Sequence, residues 1–270
     1  MSLKIALIGG TGLYSLEFLD NVEILKVSTI YGETKIRKAT VNNSEVFFLP
    51  RHGSKHSVPP HLINYRANIA ALKFVGVEKV FATAAVGSLN RKMPPGSIVI
   101  IDQFIDQTGR RPSTFYDGDN SPVVHTDFTE PYCPVLRRLL IDECRKAGYT
   151  YFDQGTYVAT EGPRFETPAE IRAYRHLGGD LVGMTNVPEV VLAREAGLCY
   201  ATVALVTNYA AGISPDILSH EEVLEVMEIH GKRIGKLFLL SIVNTPEHTE
   251  CLCSSAGKYF KIKGKVIGEK

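Results

Sequence analysis

The stretch "KIALIGGTGLY", residues 4–14, carries an apolar run, Ile5-Ala6-Leu7-Ile8, directly into Gly9, Gly10, Thr11 and Gly12. An apolar run cut off by glycines reads as a buried strand entering a turn, the device by which α/β proteins open space for a phosphate. One version of that device is the dinucleotide fingerprint, which needs G-x-G-x-x-G and an acid about 20 residues further on. Gly10-Thr11-Gly12 supplies only its first half, because Ser15 stands where the third glycine belongs. The following "SLEFLDNVEILKVSTIYGE" shows no amphipathic helix of crossover length, and neither Glu23 nor Glu33 closes a second parallel strand. The loop is therefore read as one wall of a site for a different anion.

Outward from this stretch, apolar β-type runs recur at 3–8, 45–49, 79–85, 97–101, 155–160, 180–184 and 199–207. Helical spacing appears at 63–75, 134–147, 168–177, 187–197 and 219–243, and "KATVNNSEVFFL" reads as a hairpin turning at Asn42-Asn43. Strands alternating with helices predict a single α/β domain over 1–245, with a mixed, largely parallel central sheet flanked by helices. A C-terminal tail, 246–270, follows it. In such sheets, ligands gather where strands end. Arg51-His52-Gly53 sets a guanidinium and an imidazole at one strand end, Ala84 and Ala85 offer backbone N–H groups at another, and Thr185 adds a hydroxyl at a third. Taken alone, Arg51 would read as half of a surface ion pair. Several such strand ends together favour one shared anion pocket with Thr11.

The bulk composition removes other classes. With 270 residues, 44% hydrophobic and 22% charged, the chain can bury a sizeable core. Thirty basic against 29 acidic side chains give +1, so nothing draws the chain generally to nucleic acid or an anionic membrane. No apolar run reaches membrane-spanning length, and no signal peptide is read, so a cytoplasmic location is expected. The cysteines, at 133, 144, 199, 251 and 253, are odd in number and do not form a secreted disulfide framework. Cys251-Leu252-Cys253 in the tail is open between a strained redox pair, bridges to other cysteines, and no role. No zinc-spaced Cys/His cluster and no Ser/His/Asp arrangement stands out, so no metal site is expected.

The motifs "IGGTGLY", "PRHGSKH", "NYRANIAALK", "AVGSLN", "IDQFID", "TEGPRFET", "GMTNVPEVVLAREAG" and "YATVALVTNYAAG" cover most of the chain apart from its tail. Together they closely resemble the trimeric or hexameric purine nucleoside phosphorylase and methylthioadenosine phosphorylase family. The resemblance implies phosphorolysis, in which phosphate attacks the anomeric carbon of a purine nucleoside and releases base and sugar 1-phosphate. It implies phosphate-binding positions at Thr11, Arg51, His52, Ala84, Ala85 and Thr185. Met184 falls where the ribose packs, and Phe165 and Val182 fall against the base. His125, in "VVHTDF", falls in a segment that reaches a neighbouring subunit's site, implying a homotrimer or a dimer of trimers. Asn208 and His52 are the catalytic candidates. Phosphate is a co-substrate, and no metal or organic cofactor is implied.

Within that resemblance, three positions bear on the substrate. The 6-amino branch of the family carries Asp in "TDYD", whereas this chain reads "TNYA", with Asn208, Tyr209 and Ala210 at the base-side positions. A carboxamide can accept from N7–H while donating to O6, which suits hypoxanthine or guanine; the bland reading is a turn-capping Asn. Glu166 in "GPRFET" would accept from N1–H and a 2-amino group, and adenine, lacking N1–H, would leave it unpaired. His220 falls near the 5′ substituent, where an imidazole suits a hydroxyl; the alternative is a helix N-terminal residue behind a Ser219 cap. The sequence thus predicts a 6-oxopurine nucleoside phosphorylase acting on inosine and guanosine in purine salvage. Methylthioinosine and then methylthioadenosine are the alternative substrates. The competing classes are a dinucleotide-dependent oxidoreductase and a nucleoside-binding regulatory protein without turnover.

Overall fold

The computed structural model describes residues 2–10, 22–53, 57–118, 122–215 and 219–267, with His220 described by its backbone alone. The first part of the chain forms β1 (Lys4–Gly9), β2 (Glu23–Thr29), β3 (Gly32–Val41), β4 (Ser44–Pro50), α1 (Tyr65–Phe74) and β5 (Lys79–Ser88). Then come β6 (Ile98–Ile100), β7 (Gln103–Asp106), α2 (Pro134–Lys146), β8 (Tyr151–Phe152), β9 (Thr156–Ala159) and α3 (Pro168–His176). The last part holds β10 (Leu181–Gly183), α4 (Asn186–Glu195), β11 (Cys199–Tyr209), α5 (His220–Val243), α6 (Cys253–Ala256) and β12 (Gly264–Ile267). The expected elements are present, the Asn42-Asn43 turn included, with Asn42 in the left-handed region at φ 53°.

The strands form one mixed sheet, in the order β12-β2-β3-β4-β1-β5-β10-β9-β7, with β11 on the other edge of β5 and β6 and β8 beyond it. Its centre is parallel: β1 pairs with β4 and β5, and β11 runs along β5. Alternate residues feed opposite faces. Ala6, Ile8, Val80, Ala82, Tyr200 and Ala204 pack with α1 and α4, whereas Ile5, Leu7, Phe81, Ala201 and Val203 pack with α2 and α5. A strand apolar at every position is what a sheet covered on both faces requires.

β5 organises the site. On one edge it pairs with β1 through Lys79–Ala82, then with β10 through Gly87 and Ser88, while β11 follows its other edge throughout. β1 ends at Gly9 and β10 comes in antiparallel, so the sheet splits into a wedge beside Thr83–Val86. A crevice at such a switch in strand partners is where α/β sheets hold ligands.

Two expectations need correcting. Glu23 and Glu33 sit on β2 and β3, an antiparallel hairpin with no crossover helix, which removes the remaining basis for a dinucleotide fold. Of the segment 246–270, read as a tail, the residues described, up to Ile267, are built into the body. β12 pairs with β2, the Phe260 ring lies 4.5 Å from that of Phe115, and the buried Lys79 ammonium donates to the carbonyls of Pro246 (2.7 Å) and Glu247 (2.8 Å). Cys251 and Cys253 lie against Cys133 and Cys199, a convergence that their sequence spacing does not reveal.

Candidate active site

The wedge opens into a cavity of about 400 Å³, the size of a small organic ligand. Its walls come from the ends of β1, β4, β5, β10 and β11 and from the loop before α3. Arg51, His52, Ala85, Phe165, Glu166, Val182, Met184, Thr185, Asn208 and Ala210 line it, so residues far apart in sequence meet at one place.

At one end stand the groups suited to an anion. Arg51, 3% exposed, gives Nε and Nη2 to the two carboxylate oxygens of Glu189, both at 2.7 Å, and Nη1 to the Thr83 carbonyl at 2.9 Å. Burial opposes charge on this guanidinium, but the Glu189 carboxylate more than offsets it and holds Arg51 ionised. The bidentate pair also fixes the fork, so Arg51 presents its remaining N–H groups in one orientation. Gly10 makes the approach possible, since a Cβ there would lie 3.1 Å from Arg51 Nη1 and 3.6 Å from His52 Nε2. His52 donates from Nδ1 to the Val58 carbonyl at 2.8 Å, which fixes the ring's tautomer, because a carbonyl can only accept.

At the other end stand groups suited to a planar heterocycle. Glu166 is buried and accepts from the Thr160 hydroxyl at 2.6 Å through Oε1. Burial pushes its carboxyl above the usual range, with the Thr160 hydrogen bond opposing that shift. Asn208 accepts from the Thr207 hydroxyl at 2.8 Å and donates to the Tyr209 carbonyl at 2.9 Å. A reversed amide would set its oxygen against that carbonyl, so one Oδ1 lone pair and one Nδ2 hydrogen remain for a ligand. A bulge between Val206 and Asn208 absorbs Thr207 and brings Asn208 opposite Gly87. A Cβ on Gly87 would lie 3.4 Å from Asn208 Nδ2 and 3.3 Å from Val182, so this glycine keeps a flat slot open. Phe165, 38% exposed, stands at the rim with an apolar face to offer.

A layer behind the cavity holds both ends. Tyr157 accepts through its hydroxyl from the backbone N–H of Thr185 (3.1 Å) and Asn186 (3.4 Å), and Gly183 is glycine because a Cβ would overlap that hydroxyl. Asn186, fully buried, accepts from the Tyr132 hydroxyl and donates to Thr202 Oγ1 at 2.8 Å. Tyr200 donates to Glu189 at 2.7 Å. Arg111 was not singled out by the sequence, yet it is the busiest side chain here. It donates to the carbonyls of Thr160 (3.0 Å) and Glu161 (2.6 Å) on the base side, and of Met184 (2.6 Å) and Val187 (3.0 Å) on the anion side. In sequence, its only signal was a paired Arg in "TGRRPS".

Three described residues selected in the sequence are not in the cavity wall. Ala84 turns its side chain into the core with α1 and α4, Tyr209 packs with Leu89 and Ile171, and His125 lies on a separate surface beside Arg194 and Tyr259. Thr11 lies outside the described residues. His220 is the first residue of α5, behind a Ser219 cap that accepts from the Glu222 N–H, and its side chain is outside the described set. The sequence reading missed Val58, Gly87, Gly183, Thr207 and Val223, which are small or apolar and carry no chemical flag.

Comparison with known proteins gives the family and the fold. The model of the phosphorylase superfamily matches residues 4–244. A "probable 6-oxopurine nucleoside phosphorylase" of Dictyoglomus turgidum is 55% identical, covering 97% of this chain and 99% of that protein. The 6-oxopurine nucleoside phosphorylase of Pyrococcus furiosus is also 55% identical, over 94% of this chain and 98% of its own length. Among solved structures, methylthioadenosine phosphorylase of Schistosoma mansoni with adenine superposes at a TM-score of 0.90, with 32% identity over 95% of this chain and 96% of the other.

Proposed function

The chain belongs to the phosphorylase superfamily, and on that premise we propose that it is a 6-oxopurine nucleoside phosphorylase, cleaving inosine and guanosine with phosphate. The observation that carries this reading is the pairing of Glu166 and Asn208 in the cavity that also holds Arg51 and Thr185. A 6-oxopurine offers N1–H as a donor and O6 as an acceptor. Glu166 Oε2 takes the first; Asn208 Nδ2–H serves the second, while Asn208 Oδ1 accepts a proton carried at N7. Adenine reverses this pattern at N1 and at position 6, leaving both buried groups mismatched.

Phosphate sits between Arg51, His52, Thr185, the amides of Ala84 and Ala85, and Thr11. One of its oxygens forms the bond to C1′ as the C1′–N9 bond breaks, and the bonding pair leaves with the purine. Asn208 stabilises that leaving group as it takes up a proton at N7, balanced by the proton that the hydrogen phosphate dianion releases to solvent on becoming the sugar phosphate, and the dianion faces the cationic sugar from below. Phosphate is the nucleophile, so no covalent enzyme intermediate and no metal or organic cofactor is needed. Met184 packs on the ribose, and Phe165 and Val182 on the base. The products are free base and ribose 1-phosphate, the chemistry of purine salvage.

A second reading concerns the 5′ group. Among the described residues, α5 contributes apolar Val223 to the cavity wall, which favours a methylthio substituent and makes methylthioinosine the alternative substrate. His125 stands outside its own chain's cavity, which supports a trimer, or a dimer of trimers, in which it serves a neighbour.

The test is kcat/KM for inosine, guanosine, adenosine, methylthioinosine and methylthioadenosine, with and without phosphate. Inosine is expected to lead, with turnover strictly dependent on phosphate. Faster cleavage of adenosine would overturn the base assignment, and a lead for methylthioinosine would replace the 5′ assignment. Sedimentation of the active species tests the oligomer.

A further inference from the structure

Away from the cavity, Cys133 at the N-cap of α2, Cys199 at the start of β11, and Cys251 and Cys253 near α6 bring four sulfurs within 4.8 Å of one another. We propose that these four cysteines bind one zinc ion as a structural tetrathiolate centre. A zinc ion about 2.3 Å from each of four sulfurs at tetrahedral angles sets them about 3.8 Å apart. Cys199 and Cys251 are 3.5 Å apart, so the cluster needs only small adjustments to close on an ion. All four are free cysteines in this structure.

The surroundings suit the charge. Four thiolates and Zn2+ sum to a dianion, and a buried dianion needs compensation. Arg194 donates from Nη1 to Cys253 Sγ at 3.4 Å, and the ammonium of Lys79 lies within electrostatic reach of Cys199, Cys133 and Cys251. The Thr249 hydroxyl lies 3.6 Å from Cys199 Sγ, in place to donate to a bound thiolate and orient it. Thiolates select zinc over the hard cations magnesium and calcium. Cys144 lies in α2 outside the group and serves as an internal control.

The centre joins three distant parts of the chain, clamping the returning C-terminal segment to the strand that carries Asn208. Cys199 and Asn208 lie nine residues apart on β11, or about 30 Å along an extended strand, so the ion takes no part in turnover.

The test starts with full-length protein purified anaerobically without metal-affinity steps. Elemental analysis is expected to give one zinc per chain, released stoichiometrically by a mercurial reagent and captured by a chromophoric chelator. Exchange with Co2+ is expected to give intense thiolate-to-cobalt charge transfer and the d–d bands of a tetrahedral site. Cys144→Ser keeps both signals, whereas Cys253→Ser loses both and lowers Tm, with kcat/KM for inosine unchanged at moderate temperature. Metal-free protein with an intact mass four hydrogens below the fully reduced chain would show two disulfides and overturn the proposal. So would reduced protein that takes up neither Zn2+ nor Co2+. If Cys253→Ser does not fold, the metal content and cobalt spectrum of the unsubstituted chain decide alone.

Discussion

In the proposed reading Glu166 and Asn208 divide the work of choosing a base, and each can be tested by changing its proton or its charge. Burial lifts the Glu166 carboxyl above its ordinary range, so the folded chain holds this proton to higher pH than the unfolded chain. The stability it contributes is therefore present at low pH and is lost as pH rises through the raised value. Glu166→Gln is expected to raise Tm of the ligand-free protein at neutral pH while lowering kcat/KM for inosine about 5- to 150-fold, the worth of one buried polar mismatch. The acid limb of the wild-type pH profile should disappear in the same variant, as seen in kcat/KM measured across the acid range. Asn208→Asp with Glu166→Ser should move selectivity toward adenosine, lowering the inosine-to-adenosine ratio of kcat/KM at least about tenfold. An unchanged ratio would sink the pairing logic. These two residues were singled out through the family resemblance of "GPRFET" and "TNYA", since a lone Asn would read as a turn cap, and both line the cavity. Arg111 was not, because four of its partners are backbone carbonyls, which look the same in every sequence.

At the level of elements, the site exists because β5 changes partners between Ala82 and Gly87. The alternation of apolar runs and helical periods forecast the sheet and its two covered faces, since each strand had to be apolar on both sides. It could not forecast which strands would pair or that β10 would come in antiparallel, because pairing depends on contacts between segments a hundred residues apart. The hairpin of β2 and β3 escaped notice for a related reason: it lies at an edge, its outward residues are charged, and its apolar signal is weak. Gly183 marks the cost of close packing at the wedge. Gly183→Ala would drive a methyl into the Tyr157 hydroxyl, the group that holds the Thr185 and Asn186 amides. Its kcat/KM is expected to fall on the order of a hundredfold through misplacement. The accompanying stability loss is about 1–3 kcal/mol, read from denaturant unfolding.

Over the whole molecule, the sequence reading ended the α/β domain at 245 and treated 246–270 as a tail, whereas described residues of that segment are tied into the body. Its polar composition concealed that Lys79 needs the carbonyls of Pro246 and Glu247, and that Phe260 fills a place against Phe115. These are single long-range contacts rather than periodic patterns. The bridging guanidinium of Arg111 has a thermodynamic corollary. It grips the loop that leads to Glu166 and the loop that carries Thr185, so ordering either loop prepays part of ordering the other. Phosphate and purine should then strengthen each other's binding, and by linkage each must do so by the same factor. Calorimetry on the wild type should show purine affinity rising with phosphate, and phosphate affinity rising with purine, by about 1–3 kcal/mol of coupling. In Arg111→Lys the two ligands should still bind, but nearly independently, because an ammonium cannot hold four carbonyls at once. The enzyme would then discriminate against a futile half-filled state through free energy shared between its two ligands.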